Sequence, residues 1–389
     1  TGKPWLSCSG IPSGNCLEMK RRTLLNGLVY GTGALAYSAC AASSGLRSTT
    51  TDHVLILLDL QGGNDGLNTV VPIGDRRYQQ ARPSLAISSD APMLSHGLAL
   101  HQSLSPLMEL WHQKRLGVAL GVGWTQPNRS HFKASDQWAT ARLDGEGAGW
   151  LARAFDAGRN NGPLVALHAS GCAAMEGGDA LALQLSNAQF RRESSDALNP
   201  VYEKESPILR RLLELEFQGE LALNRLRQRL VDLPSGIKLP RGALGQQVGL
   251  ALRLIGSGIC PPVLQLALGG FDTHANQPLR HAQALKRLAE SLVALDLGLK
   301  ELPKRPQVTL IVSSEFGRSV RENASRGTDH GSASVAFLYG DDIPHPFLGR
   351  YPDLEELDQR GGLIPSLEPS SLYRRVLRDV RGVDSKVLS

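Results

Sequence analysis

Residues 52–72, DHVLILLDLQGGNDGLNTVVP, contain the first clear signal of the fold. An almost wholly apolar run without strict polar alternation ends in two glycines and an Asn-Asp-Gly turn. A strand of this kind is covered on both faces, which is typical of parallel sheets in α/β proteins. The turn brings together Asp59, Asn64, Asp65 and Thr69. The stretch therefore predicts either an ordinary connection from a strand to a helix or the start of an active site.

Further apolar runs repeat this pattern along the chain. They predict buried strands at 53–60, 116–122, 163–169, 262–268, 307–314 and 335–340. Residues with helical periodicity between them predict helices at 103–114, 131–142, 147–157, 206–233 and 279–302. Strands that alternate with helices predict a largely parallel sheet with helices on both faces. Ligands of such sheets bind beyond the carboxyl ends of the strands, so polar residues at those ends are the candidates for a site.

The composition of the 389 residues excludes several classes of function. The formal net charge is only +5, and basic and acidic residues are interleaved over most of the chain. We therefore expect no nucleic acid partner. The sequence has no G-x-S-x-G elbow, no G-x-x-x-x-G-K-[ST] loop and no H-E-x-x-H helix. These absences argue against serine hydrolases of that fold, nucleotide-loop enzymes and zincin proteases.

The N-terminal part of the sequence is typical of an export signal. A basic stretch at 20–22 precedes an uncharged run at 27–42 that is short for a membrane-spanning helix. The Arg-Arg pair favours the twin-arginine route, which predicts a bacterial protein of the periplasm or cell envelope. We interpret 1–18 as an upstream, non-native segment, 19–42 as the signal peptide and 52–385 as a single domain.

The cysteines decide whether the protein has a lipid anchor and whether it has a disulfide bond. Cys40 lies in a poor lipoprotein box, and the protein would contact a membrane only if this cysteine is lipidated. Cys172 and Cys260 could form one disulfide or remain free, because bridging requires Cα atoms within about 7 Å.

Four predicted strand ends carry residues that can bind a metal ion. They are Asp59 and Asp65 in the first turn, Asp272 and His274 in GGFDTH, Glu315 with Arg318 in SSEFGRS, and Asp329 and His330 in GTDHG. Carboxylates and imidazoles in such loops predict one or two divalent ions, with zinc, manganese or calcium as candidates. Two ions about 4 Å apart would clamp the attacking and leaving oxygens of a phosphoryl transfer. Each motif alone also fits an ordinary turn, so the signal is their common placement.

The segment TQPNRSHFKASDQWATA, residues 125–141, adds a candidate binding element. It follows a predicted strand and opens a helix near Asn128 or Ser130. Arg129, Ser130 and His131 could present a cation and hydrogen-bond donors to an anionic group at the helix N-terminus. Simple capping of the helix by Ser130 explains the same pattern.

Five motifs together resemble one family. GGNDGLNTVVP, RSHFKASDQW, GGFDTH, SEFGRSVREN and GTDHG follow the twin-arginine-like signal in this order, over roughly residues 52–345. In this combination the sequence resembles DUF1501, a family of unknown function grouped with the alkaline phosphatases and sulfatases. The resemblance implies a three-layer α/β/α sandwich with a mixed, mostly parallel sheet and a metal-centred site at the strand ends.

The resemblance also implies roles for single residues. Thr69 would be a weak candidate for the nucleophile, and Arg318 and Arg129 would neutralise the charge of the substrate. Phe316 stands where the superfamily has a histidine. The implied metal shell consists of Asp59, Asp65, Asp272, His274, Glu315, Asp329 and His330.

Three interpretations remain open at this stage. The first is an exported, metal-dependent hydrolase of phosphate or sulfate esters, acting on a small or polymeric anionic substrate. The second is a non-catalytic cell-envelope scaffold that retains the fold and works with a co-exported partner. The third takes the polar strand ends as ordinary turns, with Glu315 and Arg318 paired at the surface. Convergence of Asp272, Glu315 and His330 in space would argue against the third.

Overall fold

The computed structural model describes residues 53–156, 163–178, 180, 182–185, 221, 224–341, 343, 345–379 and 388. The chain divides into two compact units, 1–43 with 196–224 and 44–195 with 225–389. All elements named below belong to the second unit. The predicted signal peptide and most of the helix predicted at 206–233 lie outside the described residues.

Thirteen strands are found in the described residues. They are β1 (His53–Gln61), β2 (Val70–Pro72), β3 (Met93–Ser95), β4 (Leu98–Leu100), β5 (Leu116–Val122), β6 (Leu164–Ala166), β7 (Ala182–Gln184), β8 (Val263–Gly269), β9 (Gln307–Ser314), β10 (Arg318–Glu322), β11 (Thr328–His330), β12 (Ser334–Tyr339) and β13 (Phe347–Leu348).

Residues 224–229 are helical, and seven further α-helices accompany the strands in the described part of the chain. They are α1 (Arg76–Ala81), α2 (Met108–His112), α3 (His131–Thr140), α4 (Trp150–Asp156), α5 (Ala243–Gly256), α6 (Gln277–Glu301) and α7 (Pro369–Asp379). Short 3-10 turns occur at Gly66–Asn68, Gln102–Leu107 and Ala173–Met175.

Eight of the strands form the central sheet, in the order β13-β5-β12-β9-β1-β8-β6-β7. β1 pairs in parallel with β8 on one side and β9 on the other. β12 runs antiparallel to both of its neighbours, so β5 and β9 point the same way. The carboxyl ends of β5, β9, β1 and β8 therefore lie at one edge of the sheet, and the predicted mostly parallel sheet is confirmed.

Helices cover both faces of this sheet. Leu55 and Leu57 of β1 belong to one apolar cluster with Trp138 of α3, Trp150 of α4 and Tyr373 of α7. The alternating residues of β1 point to the opposite face and are also buried. On that side α5 packs against β8 and α6. The three-layer arrangement accounts for the unbroken apolar runs in the central strands, as predicted.

Some boundaries differ from the predictions. The stretch predicted as a helix at 103–114 is a 3-10 turn followed by the short α2, because Pro106 lies inside it and cannot donate a helical hydrogen bond. The strand predicted at 163–169 is shortened to β6. Neither Cys172 nor Cys260 forms a disulfide bond within the described part of the chain. None of the helices in the described ranges combines the length and hydropathy that a membrane crossing requires.

Candidate metal centre

The two glycines after β1 bring the candidate loops together. Gly62 and Gly63 have φ angles of +115° and +78°, a backbone conformation that suits glycine. A Cβ on Gly62 would overlap the backbone of Asp272, and one on Gly63 would overlap the ring of Phe316. The tight turn after β1 therefore lets the loops that follow β8 and β9 approach each other closely.

Three histidines surround the carboxylate of Asp272 at this edge of the sheet. The Nε2 atoms of His274 and His330 lie 3.1 Å and 3.6 Å from its Oδ1, and Nε2 of His131 lies 3.7 Å from its Oδ2. Nε2 of His274 is also 2.9 Å from Nε2 of His330. Ligand atoms of His131, Asp272 and His330 all lie within 4.8 Å of one another. We call these four residues the three-histidine cluster.

The second ring nitrogen of each histidine faces an acceptor. Nδ1 of His131 is 2.9 Å from Oε1 of Glu315, and Nδ1 of His330 is 2.7 Å from the backbone oxygen of Arg129. Nδ1 of His274 is 3.5 Å from Oδ1 of Asp329. At His131 and His330 the acceptor near Nδ1 is closer than the Asp272 carboxylate near Nε2, so it favours the ring proton on Nδ1 and leaves the Nε2 lone pair available to a metal ion. At His274 the nearer carboxylate oxygen is that of Asp272, beside Nε2.

The pKa shifts of Asp272 and His330 suit metal donors, whereas that of His131 opposes metal binding. Partial burial acts to raise the pKa of Asp272, but the hydrogen bond and the charge of Arg318 outweigh it, so the pKa is lowered. Burial lowers the pKa of His330, which favours its neutral imidazole. The hydrogen bond to Glu315 raises the pKa of His131. A carboxylate and neutral imidazoles are the forms that bind divalent ions, and protons compete with the ion most strongly at His131.

Glu315 and Phe316 form the wall behind the imidazoles. Glu315 accepts hydrogen bonds from the backbone N–H of Gly62 at 2.8 Å and from the hydroxyl of Ser314 at 3.0 Å. The ring centroid of Phe316 lies 4.9 Å from that of His131 and 4.5 Å from that of His330. Phe316 therefore packs against two histidine rings of the cluster, at the position where the resemblance implies another histidine.

Arg318 holds the loops instead of facing a substrate. Its side chain is fully buried, and its guanidinium donates to the backbone oxygens of Gly63 at 2.7 Å and of Phe271 and Thr328 at 3.0 Å. It also donates to Oδ1 of Asp272 at 2.7 Å. The expected role of Arg318 in neutralising substrate charge does not fit this geometry, since its donors are taken up by the protein. The surface pair of Glu315 and Arg318 is likewise not found.

The guanidinium of Arg129 also binds partners within the protein. Its Nη2 lies 2.5 Å from Oδ2 of Asp358 and 3.1 Å from the hydroxyl of Ser332. Its guanidinium is therefore directed to this pair, and the contact with the cluster is made by its backbone oxygen. The expected contact between the Arg129 guanidinium and a substrate is replaced by this arrangement.

The structure does not bring Asp65 and Thr69 to the cluster. Both are buried, and Asp65 forms a bidentate pair with Arg82 at 2.6 Å and 3.0 Å. The Thr69 hydroxyl donates to the backbone oxygen of Asp65 at 2.7 Å and lies 3.0 Å from Oδ1 of Asn64. A hydroxyl enclosed in this way cannot reach a substrate, so Thr69 is not placed as a nucleophile.

Asp59 also lies apart from the three-histidine cluster. Its Oδ2 accepts a hydrogen bond of 2.6 Å from Gln265 on the face covered by α3, α4 and α7. Burial, together with the charge of Glu315, raises the pKa of Asp59 to about 6.

His131 is a residue of the cluster that the sequence analysis did not include in the metal shell. The feature that indicates it is the polar segment that begins α3 directly after a buried strand.

Of the sequence-predicted metal residues, Asp272, His274 and His330 belong to the cluster. Glu315 and Asp329 face the Nδ1 atoms of its histidines, while Asp59 and Asp65 bind other partners. The convergence of Asp272, Glu315 and His330 argues against the interpretation of the strand ends as ordinary turns.

Comparisons with known proteins identify a family and find similar solved structures. The crystal structure of the C-terminal periplasmic domain of EcEptC from Escherichia coli, in complex with Zn, is similar with a TM-score of 0.41. It shares 9% sequence identity, and the alignment covers 87% of this chain and 84% of that chain. No curated protein matches the sequence significantly. The family described as "Protein of unknown function (DUF1501)" matches residues 127–354, which contain the whole three-histidine cluster. Because this range covers more than half of the chain, the protein belongs to the DUF1501 family, as its motifs predict.

Proposed function

We propose that this chain is an exported, metal-dependent hydrolase of phosphate or sulfate esters. The observation that carries the proposal is the three-histidine cluster, in which three Nε2 atoms meet one carboxylate while each Nδ1 faces an acceptor. The cluster lies at the carboxyl edge of the parallel strands, where such folds bind ligands.

The donor set favours zinc. Imidazole nitrogens together with one carboxylate are typical ligands of catalytic zinc and are acceptable to manganese. Calcium prefers oxygen ligands alone, so it ranks last. His131, Asp272 and His330 would hold a single ion, because their ligand atoms lie within 4.8 Å of one another. The bound ion would act as a Lewis acid on an oxygen of the ester.

His274 would act beside the ion as a proton acceptor. Its side chain is 45% exposed, and its Nε2 reaches the centre of the cluster. Asp329, close to Nδ1, would orient the ring and stabilise the imidazolium that forms. Because Thr69 is enclosed, the attacking group would be water, whose proton passes to Nε2 of His274.

The substrate charge would be met by the ion and by the amino end of α3. Ser130 precedes this helix and makes no side-chain capping bond, and His131 is the first helical residue. Backbone N–H groups at a helix N-terminus favour anions. This position suits a tetrahedral phosphate or sulfate group bound against the cluster.

The test is metal content followed by an ester assay. The mature protein, purified without chelator or affinity metal, should carry one equivalent of a divalent ion by elemental mass spectrometry. His330→Ala should lose the ion and the hydrolysis of p-nitrophenyl phosphate or sulfate, whereas His112→Ala, an exposed histidine elsewhere, should retain both. His274→Ala should retain the ion and lose hydrolysis. A wild-type protein that binds no ion, even after zinc and manganese are added back, would overturn the proposal.

A second candidate function is a non-catalytic envelope protein that works with a partner. It is favoured by Thr69, Arg129 and Arg318, since the expected nucleophile and cations are engaged inside the protein. Phe132, next to His131, is 84% exposed, and exposed large apolar side chains often mark contact surfaces. A periplasmic pull-down should then recover a stoichiometric partner with the wild type and lose it with Phe132→Ser. Recovery of no such partner would argue against this candidate.

A further inference from the structure

We propose that Asp358 is a positioning residue of the metal centre. Through its ion pair with Arg129 it holds the backbone carbonyl that orients His330. The name metal centre rests on the proposed function, but the orientation of the His330 ring does not depend on it.

The first step is the bond between His330 and Arg129, which lies two residues before the start of α3. Nδ1 of His330 lies 2.7 Å from the backbone oxygen of Arg129, and Nε2 of the same ring faces Asp272 and His274. The carbonyl oxygen accepts a hydrogen bond from the ring, so it selects the tautomer that carries hydrogen on Nδ1. The position of this carbonyl therefore decides whether Nε2 of His330 presents a lone pair to the cluster.

The second step is the anchor of Arg129. Its side chain is mostly buried and its Nη2 lies 2.5 Å from Oδ2 of Asp358. Oδ1 of Asp358 accepts from the backbone N–H groups of Arg360 and Gly362 at 2.8 Å and 2.9 Å. Bonds from Ser332, Gly362 and Arg129 outweigh burial and lower the pKa of Asp358 to about 2. The carboxylate is thus ionised and held on several sides.

The third step is the set of contacts that connects the turn containing Asp358 to the hairpin that carries His330. The turn at 357–363 is fixed to β10, because Val320 donates its N–H to the oxygen of Gly361 at 2.9 Å and Ser319 forms a bridge with Gly362. β10 carries Arg318, which pairs with His330 across the β10–β11 hairpin. Asp358 therefore joins the segment that enters α3 to the hairpin that carries His330.

The packing leaves little freedom for this pair. A Cβ on Gly362 would lie 2.6 Å from Oδ2 of Asp358 and 3.0 Å from Nη2 of Arg129. A methyl group at this position would therefore crowd both charged groups. An alanine there would push the carboxylate away from the guanidinium without changing any charge.

An ion pair with a merely structural role would predict something different. Removing one partner of a partly buried pair destabilises the fold, but it would leave the tautomer of His330 unchanged. The readout must therefore be the ring itself. Long-range ¹H–¹⁵N correlation spectra of metal-free protein distinguish the two neutral tautomers of each histidine.

The experiment compares the wild type with Asp358→Asn and Gly362→Ala. We expect the wild-type His330 ring to carry hydrogen on Nδ1, and both variants to shift toward the other tautomer. Zinc affinity, measured by calorimetry, should fall by roughly 10- to 100-fold, as for other changes of groups that orient metal ligands. Asp296→Asn is the matched control, since it breaks the buried pair with Arg115 at the opposite edge of the sheet.

The outcomes separate this inference from the proposed function. If Asp358→Asn folds and keeps both the wild-type tautomer and zinc affinity, the positioning role is wrong. If this variant does not fold, Gly362→Ala decides by the same two readouts. A change in the control as large as that in Asp358→Asn would also count against the role. A wild type that binds no zinc defeats the proposed metal site, while the tautomers still decide the role of Asp358.

Discussion

At the scale of single residues, the site depends on the groups that contact the side of each histidine ring facing away from the centre of the cluster. His131 and His330 are aligned by a carboxylate and by a backbone carbonyl, respectively, and Phe316 packs against both rings. These contacts restrict ring rotation, so the Nε2 atoms converge before any ion arrives. Such preorganisation reduces the ordering that binding would otherwise require.

We predict that Glu315→Gln lowers the pKa of His131 in metal-free protein. The hydrogen bond to Glu315 is the main cause of its raised pKa, and an amide carries no charge to stabilise the imidazolium. The raised pKa stabilises the fold below the ordinary histidine pKa of about 6.5, and this contribution is lost as pH rises through the folded value. Titration of the His131 resonances by NMR checks the shift. An unchanged titration curve would contradict the assigned contact.

At the scale of elements, the glycine turn after β1 controls how closely two loops approach. The parallel pairing of β1 with β8 and β9 aligns the strand ends, but only the turn at Gly62 and Gly63 lets the following loops touch. The polar side chains at the end of β1 bind partners within the protein. The two glycines of the same stretch leave room for the loops that carry residues of the cluster.

We predict that Gly62→Ala destabilises the protein more than Gly270→Ala. Both glycines have similar φ angles, +115° and +107°, so the backbone strain of the two substitutions is comparable. A Cβ at 62 would meet the backbone of Asp272, whereas one at 270 would meet nothing within 4 Å. The excess loss in unfolding free energy should be about 1–3 kcal/mol, the usual cost of overpacking. Urea denaturation measures it, and equal losses would show that the close approach is unimportant.

At the scale of the whole molecule, a second polar network stabilises the fold beside the site. Arg82 is fully buried and donates to Asp65, Asn68 and the backbone oxygen of Ser319, which lies in β10. It therefore ties the first turn to the β10–β11 hairpin. A buried charge of this kind requires its partner, because the protein interior solvates an isolated ion poorly.

We predict that Asp65→Asn lowers the unfolding free energy by about 3–5 kcal/mol while the folded variant keeps wild-type zinc affinity. Arg82 lowers the pKa of Asp65 against the effect of burial. The stabilisation is therefore complete above the unfolded pKa of about 3.9 and is lost as pH falls through the lower folded value. Asp353→Asn, in an exposed pair with Arg77, should change stability by less than about 1 kcal/mol. Loss of zinc by folded Asp65→Asn would restore it as a metal residue.

The sequence by itself determined the class of fold and the family. An apolar run such as 307–314 consists of residues adjacent in the sequence, so the sequence alone shows it. The structure has a strand at this run, as the run predicts. Motif order identified the DUF1501 family. Placing polar residues at strand ends also selected Asp272, His274 and His330, because the carboxyl ends of parallel strands meet at one edge.

Only the tertiary structure decided which of these polar groups act together. A carboxylate becomes a member of the three-histidine cluster or an ion-pair partner according to the side chains beside it, and those neighbours come from other parts of the chain. Asp65 pairs with Arg82, whereas Asp272 meets His131 from a distant part of the chain. Hydrophobic periodicity involves residues that are close together in the chain, so it could be recognised from the sequence. The partners of buried and clustered charges are not local, so no spacing in the sequence could reveal them.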